Sequence, residues 1–117
     1  MNNQVELYDT TLRDGAQQEG ISLSVEDKLA ITERLDRLGI DVIEGGYAGA
    51  NPKDDEYFRR VRLLDLKHAQ IAAFGNTRRA DGVAESDPTL KALIDTSAPI
   101  LTLVGKSSEY QVRDVIQ

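Results

Sequence analysis

Ser24-Val25-Glu26-Asp27-Lys28-Leu29-Ala30-Ile31-Thr32-Glu33-Arg34-Leu35-Asp36-Arg37-Leu38-Gly39-Ile40-Asp41-Val42-Ile43-Glu44-Gly45-Gly46 is a capped helix that runs, through one glycine, into a short apolar strand. Ser24 followed three residues later by Asp27 is a capping-box pattern. Ile31, Leu35 and Leu38 fall at i, i+4 and i+7, which predicts one apolar face. Gly39 is placed as the residue just beyond the helix end. Ile40 to Glu44 then reads as a strand closed by Gly45-Gly46. A helix feeding directly into a strand is the repeating unit of a parallel α/β fold.

The unit recurs on both sides. Upstream, Val5-Glu6-Leu7-Tyr8 reads as a first strand, followed by a polar stretch from Asp9 to Gly20. Downstream, Asn51-Pro52 gives a cap and a first-turn proline, with Tyr57, Val61 and Leu64 as the buried stripe. Gln70-Ile71-Ala72-Ala73-Phe74 is a third strand, closed by Gly75-Asn76. Asp87-Pro88 repeats the cap-plus-proline signal, and Leu90, Leu93 and Ile94 carry the next helical face. Pro99 to Val104 is a fourth strand, nearly all apolar, as expected where both faces are covered. Ser108 opens a last helix with Val112, Val115 and Ile116 on its face.

Four βα units without a dividing linker fit either an open doubly wound sheet or half of a closed barrel. A complete (β/α)₈ barrel takes about 250 residues. The 117-residue chain closes on Val115-Ile116-Gln117 inside an amphipathic pattern. The expectation is an α/β fold in which residues 1–117 form the N-terminal part of a barrel domain, cut short.

Composition narrows the chemistry. The formal net charge of −6 argues against a nucleic-acid backbone or an anionic membrane as partner. No cysteine is present, which rules out disulfides and thiolate metal sites. The N-terminus lacks a basic apolar signal and no apolar run reaches membrane-spanning length, so a cytoplasmic location is expected.

In both architectures functional groups gather at the C-terminal ends of the strands. The first such end carries Asp9-Thr10-Thr11-Leu12-Arg13-Asp14-Gly15-Ala16-Gln17. A carboxylate beside a guanidinium suits binding a divalent ion while stabilising a developing oxyanion, although Arg13-Asp14 taken alone reads as a surface pair. Glu44 ends an otherwise apolar strand, before two glycines that permit close approach of backbone or ligand. Arg78 and Arg79 at the third end could hold a carboxylate or phosphate. The fourth end, Thr102-Leu103-Val104-Gly105-Lys106-Ser107, is not a phosphate-binding loop, because the glycine required five residues before Gly105 is Ile100. His68 precedes the third strand, at the opposite end, and reads as a surface residue.

Several strand ends together resemble one family. Asp9 to Gln17 resembles the opening signature of the DRE-TIM metallolyases, the group of isopropylmalate, homocitrate and citramalate synthases and hydroxymethylglutaryl-CoA lyase. Val42-Ile43-Glu44-Gly45-Gly46-Tyr47-Ala48-Gly49-Ala50-Asn51-Pro52-Lys53-Asp54, Ala73-Phe74-Gly75-Asn76-Thr77-Arg78-Arg79 and Thr102 to Ser107 resemble the citramalate synthase branch. The segments occur in order and in register along essentially the whole chain.

The resemblance implies a TIM barrel and a Claisen-type condensation of acetyl-CoA with an α-keto acid, pyruvate by expectation, in branched-chain amino-acid biosynthesis. It implies Asp14 as a ligand of a catalytic Mg²⁺ or Mn²⁺, Arg13 as the group stabilising the oxyanion or enolate, and Glu44 as the partner orienting Arg13 or a metal-bound water. Gln17, Arg78, Thr102 and Lys106 become substrate-pocket candidates, and the full-length protein is expected to be a homodimer. Family members take two further metal ligands from a His-x-His on a late strand, and this chain has none. Residues 1–117 alone are therefore expected to be inactive. The alternatives are an isopropylmalate or homocitrate synthase, a lyase or aldolase of the same superfamily, or a non-catalytic half-barrel that self-associates.

Overall fold

The computed structural model describes residues 4–77, 87–105, 107–110 and 113. Its frame is a four-stranded parallel sheet in the order β1-β2-β3-β4, formed by Tyr8–Asp9, Val42–Tyr47, Gln70–Asn76 and Ile100–Val104. Three helices connect the strands: α1 (Val25–Leu38), α2 (Pro52–Val61) and α3 (Pro88–Asp95). Sequential parallel strands with a helix in each crossover make up half of a βα barrel, as the sequence predicts. The last predicted helix lies almost wholly outside the described residues.

Local chemistry sets each boundary. Ser24 accepts from the Asp27 N–H, and the Asp27 carboxylate accepts from the Ser24 N–H, so the capping box is complete. Gly39 ends α1 in the left-handed region (φ 96°), where only glycine is unstrained. Asn51 and Asp87 cap α2 and α3 ahead of their prolines. The first strand lies later than expected. Its register places Tyr8 opposite Val42, and pairing begins only where the Leu7 carbonyl accepts from Asp41 and Val42.

The second strand runs three residues further than expected, through a bulge between Glu44 and Gly46. Gly45 and Gly46 both turn outward beneath α2. A Cβ on Gly45 would stand 2.3 Å from the Tyr57 ring, and one on Gly46 2.8 Å from the Asp54 carboxyl. The close approach that the sequence reading assigned to a backbone or ligand is therefore made by the side chains of α2. The bulge keeps Glu44 and Tyr47 on the inner face of the sheet.

The core lies between sheet and helices and includes Leu12, Leu29, Ile43, Tyr57, Phe58, Val61, Ile71 and Leu93. Two predicted faces differ. On α1 the residues turned fully inward are Lys28, Leu29, Thr32 and Asp36, while Ile31 and Leu35 are half-buried and Leu38 is 76% exposed. Most of that inward line is polar and satisfied by partners. Lys28 Nζ donates to Asp54 (2.6 Å), Thr32 shares a hydrogen bond with the Tyr57 hydroxyl (2.7 Å), and Asp36 accepts from the N–H groups of Lys67, His68 and Ala69 at 2.7–2.9 Å. On α3, Leu93 is buried against Gly75 and Ile94 is 67% exposed. The fourth strand is likewise half-exposed, with Leu101, Leu103 and Val104 uncovered, because no described strand follows it.

Candidate functional site

On the inner face of the sheet, four residues from four strands line up: Tyr8, Glu44, Phe74 and Thr102. In a flat sheet β1 and β4 would stand three strand spacings apart, about 14 Å. The Tyr8 hydroxyl nevertheless lies 2.6 Å from the Thr102 hydroxyl. Sheet curl and the length of the phenol together close that gap, which is how a barrel wall brings distant strands onto one site.

Arg13 reaches this face from the turn after β1. Its backbone N–H, with those of Asp14 and Gly15, converges on the Thr10 carbonyl, and the tight turn folds the side chain back over the sheet. The guanidinium Nε donates to one Glu44 carboxylate oxygen, and the Tyr8 hydroxyl donates to the other. The guanidinium carbon of Arg13 lies 4.0 Å from the centre of the Phe74 ring, a cation–π contact that fixes it further. Glu44 is only 2% exposed, so its charge is held by two directed donors rather than by water. Burial, and then the bond to Glu44, push the Tyr8 phenol up to about 12. The phenol stays protonated and keeps donating across the physiological range.

Of the residues singled out in the sequence, Arg13, Glu44 and Thr102 therefore meet. Asp14 lies beside Arg13, at 3.6 Å, with its carboxylate 66% exposed at the end of the sheet. Gln17 is exposed on the far side of the turn, lining a cleft of about 390 Å³ together with Arg13, Lys28, Tyr47 and Asp54. Arg78 and Lys106 lie outside the described residues. His68 pairs with Asp41 (2.7 Å) at the opposite end of the sheet, as the sequence predicts.

The resemblance implies a Mg²⁺ or Mn²⁺ ion at Asp14. The Asp14 carboxylate is a hard oxygen ligand of the kind Mg²⁺ and Mn²⁺ take. Among the described residues no three His, Cys, Asp or Glu side chains converge. Asp14 thus fits as one ligand, and the described residues do not enclose an ion.

Sequence reasoning missed Tyr8, Phe74 and the Lys28–Asp54 pair. The first two become evident only once the strand registers are known, which set Tyr8 and Phe74 on the same face as Glu44. The third had no signal in the sequence, because a lysine inside a helical pattern reads as solvated.

Comparison with known proteins gives the family. The HMGL-like family matches residues 4–117. The chain is 53% identical, over 96% of its length, to the (R)-citramalate synthase of Streptomyces coelicolor, and 45% identical, over its whole length, to that of Aquifex aeolicus. Identity to the 2-isopropylmalate synthase of Halothermothrix orenii is 36% over 93% of the chain. The chain spans about a fifth of the length of these relatives (21–22%). No described helix is long and apolar enough to cross a membrane. With its strands in barrel order, an Arg–Glu pair seated at their C-terminal ends and a family match from residue 4 onward, the chain belongs to the HMGL-like family.

Proposed function

We propose that this chain supplies the Arg–Glu half of the active site of a citramalate synthase-type acyltransferase, which condenses acetyl-CoA with pyruvate and releases the CoA thiol when water hydrolyses the thioester. The observation that carries the reading is the Arg13–Glu44 pair, seated over Phe74 on the inner face of the sheet, with Glu44 buried and part of the guanidinium still exposed. A guanidinium already held by a carboxylate needs no reorganisation to meet negative charge developing on a carbonyl oxygen. Arg13 stabilises that oxygen as the acetyl carbon attacks the keto group. Glu44 keeps the guanidinium plane fixed, and Phe74 excludes water from its lower face.

A divalent ion, with Asp14 as one of its ligands, would supply Lewis-acid polarisation of the keto group. The higher identity to citramalate synthases (45–53%) than to isopropylmalate synthase (36%) favours pyruvate over a bulkier keto acid. A homodimer in the cytoplasm, serving branched-chain amino-acid synthesis, completes the proposal.

The test is thiol release from acetyl-CoA with pyruvate and Mg²⁺ or Mn²⁺. The protein extended through the later strands is expected to release thiol and residues 1–117 alone are expected not to. Robust release by residues 1–117, abolished by Asp14→Ala, would overturn the division of the site between these residues and others. No release by the extended protein with any small keto acid would overturn the reaction itself.

A further inference from the structure

We infer that Tyr8 is a positioning residue of the condensation site: anchored by Thr102, its hydroxyl holds the Glu44 carboxylate in the orientation that seats Arg13. This rests on the function proposed above and assigns a role to two residues that touch no reacting atom.

Hydrogen-bond bookkeeping carries the inference. A phenol has one proton, and Tyr8 gives it to Glu44. The Thr102 hydroxyl, 2.6 Å from the phenol oxygen, must then donate to it. The result is a directed chain in which Thr102 donates to Tyr8 and Tyr8 to one Glu44 oxygen, while the other oxygen accepts from Arg13. Glu44 is buried and among the described residues has no other side-chain partner within hydrogen-bond reach than these two. Without the phenol its carboxyl plane can rotate about its terminal torsion, which has a broad minimum. The guanidinium would then follow it off the Phe74 ring. The chain also gives Thr102 a purpose different from donating to a substrate, since its one proton goes to Tyr8. Because the links come from β4, β1 and β2, the orientation of Arg13 depends on strands that are not neighbours.

The experiment uses the full-length protein and three readouts. Tyr8→Phe keeps the ring and removes the donor. It is expected to lower kcat about ten- to a hundredfold, the loss of one hydrogen bond to a charged group, with both KM values within about twofold of the parent. Thr102→Val is expected to act in the same direction and Thr102→Ser to restore the rate. Tyr8→Phe added to Glu44→Gln is expected to have no further effect, since the two act as one unit. A parental kcat in Tyr8→Phe, or independent multiplication of the Tyr8 and Glu44 effects, would overturn the proposal. Should Tyr8→Phe fail to fold, the Thr102 pair of variants decides alone.

If the parent protein releases no thiol, the reaction reading fails and the contact is still tested by tyrosine absorbance. Glu44→Gln is then expected to bring one tyrosine ionisation down from about 12. An unchanged titration would mean that the phenol is not held by Glu44.

Discussion

The Arg13–Glu44 pair is held by directed geometry as well as by charge. Lysine in place of Arg13 keeps the positive charge and loses the planar fork that meets Glu44 and stacks on Phe74. Arg13→Lys in the full-length protein is therefore expected to lower kcat by about 10²–10³-fold, the usual loss on removing one oxyanion donor, in the thiol-release assay. A loss confined to KM would show instead that Arg13 binds substrate without favouring the transition state. In the sequence these two residues stand out only through the family resemblance, since Arg13 beside Asp14 reads alone as a surface pair and Glu44 as a solvated strand end. Their partners do not stand out at all. Tyr8 and Phe74 look like ordinary strand residues until the register of four strands is known, and that register is a property of the whole sheet.

Among the elements, α1 shows why helical periodicity misled. Its apolar stripe of Ile31, Leu35 and Leu38 lies on a flank, while its most buried line includes Lys28, Thr32 and Asp36. Each polar group there is bonded to another element, so the helix is located by directed bonds as much as by apolar area. Asp36 is the clearest case. Backbone N–H bonds from Ala69 and Lys67 hold its carboxyl below the ordinary 3.8. A carboxylate with a depressed pKa stabilises the fold fully above its unfolded value and loses that contribution as pH falls through the folded one. Asp36→Ala should therefore destabilise by about 2–3 kcal/mol at neutral pH, measured by urea unfolding, with the difference from the parent shrinking below about pH 4. A constant difference down to pH 2 would show that packing, not charge, is lost.

The β2 bulge is the second such element. Gly45→Ala would drive a methyl into the Tyr57 ring, buried beneath Phe58 and Lys28. Destabilisation by about 1–3 kcal/mol is expected from overpacking, whereas Leu38→Ala on the exposed flank should change stability by less than about 0.5 kcal/mol. The caps, the glycine stop and the two prolines were readable because they act within four residues. The bulge was not, since it depends on which helix side chains lie above it.

For the whole molecule, the uncovered apolar side chains among the described residues include Leu101, Leu103 and Val104 on the fourth strand and Val5 and Leu7 at the first. Others are spread over the helices and loops, Leu38, Leu63 and Ile94 among them. In a closed barrel the first and fourth strands would both be covered by later units. Residues 1–117 in isolation are therefore expected to associate, with sedimentation showing species above the 12.9 kDa monomer that disappear when the chain is extended through the later strands. A clean monomer at high concentration would mean that these surfaces are shielded within the single chain. Half-barrel architecture was legible from the number and spacing of strand–helix units. Curvature was not, and it is the curl of the sheet that brings Tyr8 to Thr102.

Strand order that repeats chain order also has a meaning in time. A polypeptide made from its N-terminus presents each new strand to an edge already formed by the one before. The Arg13–Glu44 contact spans 31 residues and the Tyr8–Thr102 contact 94. During synthesis the guanidinium can thus be seated on its carboxylate long before the fourth strand exists, and the threonine that anchors the phenol is the last of these four residues to arrive.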